Sequence, residues 1–320
     1  MNILLLMPDF FDYPKMIIEE LQSRGYNVDF ICNESDEFRS CFSYKKKIIR
    51  RVFRKLFPKY MYKKDIIRAE KVADKFYAAK VSQLRDNYDY VICIKGDMFP
   101  ETQYSSLRNK YPNAKFIIYQ WDDLSLLIKT KQSQWFDRHY SYNIEDCKKN
   151  NFRYLPMFSK KVKKEDNVTK KYDIAIIGTI DRAHKKRLQI IEKIYDKYCN
   201  QYSFFLYLYR RDNITTHLPS FTDKLPFDGY VNALLESKSV LDIALINQEG
   251  PTTRFNDALG TDTKVITTNQ NIKKYPIFSD NILIIDEDNP TIENDFISSP
   301  YHHTDLDFMS VEKWCDTILS

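Results

Sequence analysis

The segment 245–269 combines side chains that could bind the phosphate and hydroxyl groups of a ligand. Arg254 supplies a guanidinium fork that matches phosphate oxygens, and Thr252 and Thr253 add hydroxyl donors. Glu249 and Asp257 stand eight residues apart. A carboxylate at either position could accept two hydroxyls of a ribose or sugar ring. These residue types predict a site for a phosphate-bearing ligand with a hydroxylated ring.

A strand, a loop and a helix are predicted to position these residues. The apolar run Leu241–Ile246 predicts a strand, Gly250 and Pro251 predict a loop, and a helix pattern begins near Thr252 or Thr253. The start of such a helix offers free backbone N–H groups and partial positive charge to an anion. In open α/β sheets, ligands bind at the carboxyl ends of the strands, where this loop is expected to lie.

The stretch resembles the donor-binding signature of GT-B glycosyltransferases, the E-x7-E motif of the retaining group-1 enzymes. It is most similar to bacterial surface-polysaccharide glycosyltransferases with a CgeB-like carboxyl-terminal domain, which carry a G-x-T-x-R…E-A-L-G…K-x-I-T-T-N run. Asp257 stands where that family has Glu, and its side chain is shorter by one C–C bond, about 1.5 Å. The residues aligned with this run, with Asp257 in place of its Glu, are Gly250, Thr252, Arg254, Asp257, Ala258, Leu259, Gly260, Lys264, Ile266, Thr267, Thr268 and Asn269.

The resemblance, which spans about residues 115–290, implies roles for these positions. It places Glu249 on the donor sugar or nucleotide and Asp257 on the ribose. It places Thr252, Thr253 and Arg254 on the pyrophosphate, next to Gly250. It implies a nucleotide-diphosphate sugar as the donor substrate, with no further cofactor.

Gly178 and Thr179 stand at the end of the first predicted strand of the second half, Tyr172–Ile177, and the loop there should border the same site. Four basic residues follow, one of which could reach a diphosphate: Arg182, Lys185, Lys186 and Arg187. Arg187 is favoured over the others only by the family resemblance.

Asp122 and Asp9 are the candidate catalytic residues. Asp122 and Asp123 follow the predicted strand Lys115–Tyr119 and Trp121, and Asp9 follows the predicted strand Asn2–Met7. A carboxylate there could act as general base on an acceptor hydroxyl or orient the acceptor. An Asp after a strand is equally typical of a helix N-cap, and the sequence does not separate these interpretations.

Apolar strand patterns alternate with helix patterns along the whole chain, which predicts parallel sheets covered by helices. The polar stretch Ser159–Lys171 divides them. The prediction is therefore an α/β protein of the GT-B class, with two Rossmann-like doubly wound domains facing a cleft. Residues 1–160 would bind the acceptor and residues 161–320 the nucleotide sugar, with the last helix in a position to pack back on the first domain.

Composition and charge narrow the functional classes. The 320 residues are 43% hydrophobic and 29% charged, which is typical of a globular protein, and no apolar run is long enough for a bilayer span or a signal peptide. A cytoplasmic location is expected. The sequence has no G-x-G-x-x-G or P-loop pattern, and its six cysteines form no C-x-x-C pair.

The segment from Lys45 to Lys71 carries twelve Lys or Arg and only two acidic residues. Within it, residues 45–57 predict a helix with one apolar half and one cationic half. Such a helix suits either the anionic inner leaflet of the membrane or packing on the sheet with a solvated basic face. Nucleic-acid binding is not expected, because no recognised motif accompanies the charge.

Two short acidic patterns, Asp286-Glu287-Asp288 and Asp305-Leu306-Asp307, match D-x-D but lie beyond the donor-like segment, so no metal site is predicted. The expected function is transfer of a sugar from a nucleotide-diphosphate donor to a surface-glycan acceptor, such as lipopolysaccharide O-antigen or capsule, in a form that could be lipid-linked. The alternatives are a nucleotide-sugar epimerase-like enzyme and a non-catalytic relative that binds glycans or polyanions.

Overall fold

The computed structural model describes residues 1–10, 12–33, 71–96, 99–126, 134–159, 168–244 and 248–320. The protein belongs to the α/β class and contains two parallel sheets of six strands each. The chain divides into two compact units, Met1–Tyr142 with Lys149–Tyr154 and Asn143–Lys148 with Leu155–Ser320. The membrane-contact prediction for residues 45–57 lies outside the described residues. Within those described ranges, no helix is long and apolar enough to cross a bilayer.

The sheet of the first unit has the strand order β2-β1-β3-β4-β5-β6, and all neighbouring strands run parallel. The elements in this part of the chain are β1 (Asn2–Met7), α1 (Tyr13–Ser23), β2 (Asn27–Cys32), α2 (71–81), β3 (Tyr90–Ile94), α3 (Glu101–Lys110), β4 (Lys115–Gln120), β5 (Arg138–Ser141), α4 (Ile144–Asn150) and β6 (Arg153–Tyr154).

Apolar patterning explains the core of this unit. Strands β1 and β3 are continuous apolar runs that are buried along nearly their whole length, as expected for central strands covered on both faces. Helix α1 buries Tyr13, Ile17 and Leu21, which recur every four residues on one face.

The sheet of the second unit has the strand order β12-β11-β10-β7-β8-β9 and is also parallel throughout. Its elements are β7 (Tyr172–Ile180), α5 (Lys185–Tyr198), β8 (Phe204–Arg210), β9 (Ser220–Phe221), α6 (Phe227–Leu235), β10 (Ser237–Asp242), α7 (Thr253–Leu259), β11 (Lys264–Thr267), β12 (Ile282–Ile284), α8 (Asn294–Ser298) and α9 (Val311–Leu319). Within this unit, the Trp314 ring of α9 contacts Phe158 at a centroid distance of 5.5 Å.

Strand β10 corrects the sequence prediction, which placed it at Leu241–Ile246. The strand starts earlier, at Ser237, and ends at Asp242, while residues 245 and 246 of the predicted run lie outside the described residues. Its serines are fully buried because neighbouring backbone carbonyls accept their hydroxyl protons: Ser237 donates to Ala233 O at 2.6 Å and Ser239 to Asp173 O at 2.7 Å. Small polar residues that bond to the backbone can therefore occupy a central strand without an apolar pattern.

Gly96, after β3, and Gly25, after α1, both have positive φ, and a comparison of the two tests the packing at the carboxyl end of β3. Gly96 (φ 70°) follows this strand, and a Cβ added there would lie 2.6 Å from the hydroxyl oxygen of the fully buried Tyr104. Gly25 (φ 78°) meets nothing within 4 Å.

Gly96→Ala is therefore expected to lower the free energy of unfolding by about 3 kcal/mol or more, since backbone strain and a steric clash add. Gly25→Ala should cost about 1–2 kcal/mol from backbone strain alone. Urea denaturation of both variants measures the difference. Equal losses would show that Tyr104 yields to the new methyl group.

Candidate functional site

Asp242, the last residue of β10, is a buried carboxylate that lies just before the predicted binding segment 245–269 and contacts it. It is 1% exposed. Its Oδ1 accepts hydrogen bonds from the Thr252 hydroxyl at 2.9 Å and from Arg254 Nη1 at 2.8 Å. Its Oδ2 accepts from the Thr267 hydroxyl at 3.5 Å. One carboxylate thus fixes the loop before α7, the first turn of α7 and the end of β11.

Arg254 and Arg187 approach the same strand ends from two helices. Arg254 Nη2 donates to Ile177 O of β7 at 2.8 Å, and Arg187 Nη2 of α5 donates to Ile243 O, just after β10, at 3.1 Å. The Nε atom of each arginine is buried and has no hydrogen-bond partner among the residues that the structure describes. Hydrogen bonds within the described residues therefore do not use the full donor capacity of either guanidinium.

The electrostatics of this pair favour a bound anion. Burial lowers the pKa of Arg187, and the positive charge of Arg254 lowers it further, while the carboxylates of Asp242 and Asp181 oppose the shift. Two guanidinium groups thus repel each other in a partly dehydrated environment. A phosphate group placed between them and the solvent would offset that repulsion and accept from both.

Gly178 and Thr179 lie inside β7, where they pair with Leu208 and Tyr209 of β8, and not in the loop after the strand. The prediction ended the strand too early, because a glycine followed by a polar residue reads as a turn. The chain leaves the sheet at Asp181. Gly178 adjoins the site through its neighbour Ile177, whose carbonyl accepts from Arg254.

The run K-V-I-T-T-N (residues 264–269) holds the loop that carries Glu249 and Gly250. Asn269 Nδ2 donates to the backbone carbonyls of Glu249 at 3.2 Å and Gly250 at 3.1 Å. The Thr268 hydroxyl accepts the backbone N–H of Ala244 at 3.0 Å. The run therefore fixes the binding loop through hydrogen bonds to the loop backbone. The side chains of the run are largely buried.

Lys264, the first residue of the same run, has a separate structural role. It is 2% exposed, and its ammonium donates to the carbonyls of Phe296, Ile297 and Ser299 at the end of α8. Burial lowers its pKa to about 8. Because a cation at a helix carboxyl terminus meets carbonyls that have no helical partner, Lys264 anchors α8 to β11.

Helix α7 begins at Thr253, with Thr252 as its N-cap residue, close to the predicted start. Asp257 lies on a buried side of this helix and is 7% exposed. Its Oδ2 accepts from the Tyr230 hydroxyl of α6 at 3.1 Å. Burial and the charge of Asp257 raise the pKa of Tyr230 well above its ordinary value. Tyr230, which the sequence analysis missed, thus belongs to the surroundings of Asp257.

In the first unit, the two aspartates after β4 have different environments. Asp123 is 2% exposed and accepts from the Tyr142 hydroxyl at 2.6 Å. Asp122 is 41% exposed at its side chain and forms an ion pair with Lys95 Nζ at 3.3 Å. Asp9 is exposed in the segment after β1. Asp122 is thus the aspartate of the 122–123 pair with the greater access to a ligand.

An aromatic cluster lies beside these residues at the carboxyl edge of the first sheet. The ring of Phe10 is 5.9 Å from that of Trp121, and Tyr13 lies 5.7 Å from Trp121. Phe10 is 38% exposed. The sequence signal for this cluster is weak, because the rings come from segments more than a hundred residues apart.

The D-x-D patterns serve local structure in the described residues. Asp286 Oδ1 accepts the backbone N–H groups of Asp288 and Asn289, and Glu287 pairs with Lys186. Asp305 Oδ1 accepts the backbone N–H of Asp307 at 2.9 Å. Across the described parts of the chain, no three His, Cys, Asp or Glu side chains cluster as metal ligands.

No protein-family model matches the sequence, and no curated protein matches it either. Solved structures do share the fold. The glycotransferase of kitacinnamycin superposes with a TM-score of 0.52 at 9% identity, covering 99% of this chain and 98% of its own. A protein assigned as a UDP-N-acetylglucosamine 2-epimerase from Listeria monocytogenes superposes with a TM-score of 0.54 at 9% identity, covering 98% and 94%. The architecture is therefore the α/β fold of the GT-B class.

Proposed function

We propose that the protein is a glycosyltransferase that uses a nucleotide-diphosphate sugar as donor. The observation that carries this proposal is the pair Arg187 and Arg254, which meet at the ends of β7 and β10 and whose Nε atoms have no hydrogen-bond partner within the described ranges. A diphosphate is the anion that two neighbouring guanidinium groups would suit, since each can bind one phosphate. The fold shared with a solved glycotransferase agrees with this assignment.

In the proposed complex, Arg187, Arg254 and the loop 249–253 hold the diphosphate, and Gly178 and Thr179 border it. Thr252 would contribute through its backbone, because its hydroxyl proton is donated to Asp242. The Thr253 hydroxyl remains a candidate donor to phosphate. Asp257, with Tyr230 beside it, would accept the ribose hydroxyls, and Glu249 would contact the sugar or the nucleotide.

The first unit would bind the acceptor. A hydroxyl oxygen of the acceptor forms the new bond to the anomeric carbon of the donor sugar, and the bond from that carbon to the diphosphate oxygen breaks. The proton of the acceptor hydroxyl passes to a carboxylate, Asp122 or Asp9. The exposed ring of Phe10, with Trp121, offers an apolar face for the acceptor. The positive charge of the two arginines would stabilise the departing diphosphate, so the proposed transfer needs no metal.

The proposed acceptor is a growing surface glycan such as O-antigen or capsule, in a lipid-linked form. Residues 45–57 would then hold the protein at the inner face of the cytoplasmic membrane. This part of the proposal rests on the sequence alone, through the family resemblance and the basic amphipathic pattern.

A thermal-shift screen with UDP, GDP, CMP and dTDP, and with UDP- and GDP-sugars, tests the donor site. A ligand at 100 times its Kd stabilises a protein by about 2.7 kcal/mol. We expect one nucleotide to raise the Tm of the wild type, and Asp257→Asn to reduce the shift because the ribose contact weakens.

The matched control is Asp228→Asn, at an exposed aspartate in the first turn of α6. It should leave the shift unchanged. If no nucleotide or nucleotide sugar changes the Tm of folded protein, the proposal is wrong and a non-catalytic glycan-binding or polyanion-binding protein takes its place. If a nucleotide sugar is bound and converted to its epimer without an acceptor, the epimerase alternative replaces sugar transfer.

A further inference from the structure

An Asp–His pair follows β7 and has no role in the site described so far. His184 Nδ1 lies 2.7 Å from Asp181 Oδ1, and the same oxygen accepts the His184 backbone N–H at 2.9 Å. Asp181 is 5% exposed, whereas the His184 side chain is 36% exposed. Two hydrogen bonds from one residue thus hold a buried carboxylate against a ring that reaches solvent.

This geometry fixes the role of each ring nitrogen. Because Nδ1 is directed at a carboxylate, it carries a proton, and Nε2 lies on the opposite side of the ring. Nε2 makes no hydrogen bond within the described residues. When the ring is protonated, Nε2–H is therefore a charged donor available to a ligand.

The pair shares its edge of the sheet with the two arginines. His184 precedes Arg187 by three residues, and the charge of Asp181 acts on Arg187. Arg211 Nη1, after β8, lies 3.6 Å from Asp181 Oδ2. The charged residues next to the pair in sequence or by contact, from the turn before α5, the first turn of α5 and the segment after β8, are Arg182, Lys185, Arg187, Arg211 and Asp212.

We propose that His184, oriented by Asp181, donates from Nε2 to the diphosphate of the donor and stabilises it as it leaves. This inference rests on the proposed function, because it adds a third group to the same anion site. As the bond from the anomeric carbon to the diphosphate oxygen breaks, its electron pair stays on that oxygen. The imidazolium accepts no electrons and transfers no proton; it only balances the growing negative charge.

Asp181 is the positioning residue in this arrangement. Burial raises the pKa of its carboxyl, but hydrogen bonds from His184 outweigh burial, and the pKa lies below its ordinary value. Asp181 is therefore a charged acceptor for Nδ1–H, and it fixes the orientation of the ring.

Isothermal titration of the full chain with inorganic pyrophosphate, at about pH 6 and about pH 8, tests the proposal. At the lower pH, we expect the wild type to bind pyrophosphate about tenfold or more tightly than His184→Gln. At the higher pH, the two affinities should agree within about twofold. Only a protonated ring donates a charge-assisted hydrogen bond, so the substitution removes such a bond only where the ring is protonated. Asp181→Asn should also lose most of the gain at low pH, although it keeps the imidazole.

His217→Gln is the matched control, since His217 forms an Asp–His pair of 2.8 Å with Asp196 further along α5. It should bind like the wild type at both pH values. If His184→Gln keeps the wild-type ratio of affinities at the two pH values while Arg187→Met weakens binding at both, only the His184 proposal fails. If neither variant changes pyrophosphate binding, or if the wild type does not bind it, the diphosphate site itself is wrong and both proposals fail.

Discussion

Replacement of Asp242 by alanine is expected to lower the free energy of unfolding by about 3–5 kcal/mol, the cost of removing one partner of a buried ion pair. Asp242 is almost fully buried and accepts hydrogen bonds from Arg254, Thr252 and Thr267. Without the carboxylate, Arg254 would lose its ion-pair partner, and the repulsion between Arg254 and Arg187 would be less compensated. Chemical denaturation measures the loss.

Asp196→Ala is the matched control, because Asp196 also pairs with a basic side chain but is 58% exposed. Exposed pairs contribute at most about 1 kcal/mol, so this variant should unfold almost like the wild type. The double variant Asp242→Ala with Arg254→Met should be less destabilised than the sum of the single variants, since removal of both charges leaves none unpaired. Additive losses would show that the two side chains do not act as a pair.

The sequence is sufficient to predict much of this fold. Strands β1 and β3 are apolar runs that only a doubly covered sheet accommodates, and α1 is marked by its buried stripe and by Gly25 after it. The prediction was wrong at β10, where it placed the strand over the apolar run Leu241–Ile246. The buried serines of β10 are satisfied by contacts that are formed by the tertiary fold, so no local pattern marks them.

The candidate site shows the same division between local and nonlocal information. The segment T-T-R and the start of α7 follow from local residue types. Asp242 was missed because its role depends on an ion pair with Arg254, twelve residues later. Arg254 also donates to Ile177 O on the neighbouring strand β7, a contact that only the folded chain forms. His184 was missed because its contact with Asp181 depends on where β7 ends. Asp181 is the first residue after the strand, and the turn that begins there brings His184 against its carboxylate.

Replacement of Arg187 by methionine is expected to weaken diphosphate binding without loss of stability. Burial and the charge of Arg254 both lower the pKa of the Arg187 guanidinium. Within the described parts of the chain its one hydrogen bond is to Ile243 O. An apolar side chain of similar length avoids these costs, so the free energy of unfolding should rise or stay within about 1 kcal/mol of the wild type. The affinity for pyrophosphate should fall about tenfold or more, since a charged donor is lost.

Calorimetric titration and urea denaturation of the same sample measure both effects, and Arg182→Met is the control. Arg182 is an exposed basic residue in the turn that precedes α5, and its replacement should change neither quantity. If Arg187 lowers the stability of the protein, ligand binding is the function that explains its presence at this position. If Arg187→Met instead lowers stability by about 2 kcal/mol or more and keeps its affinity for pyrophosphate, Arg187 is a structural link between α5 and β10, and the diphosphate must be held elsewhere.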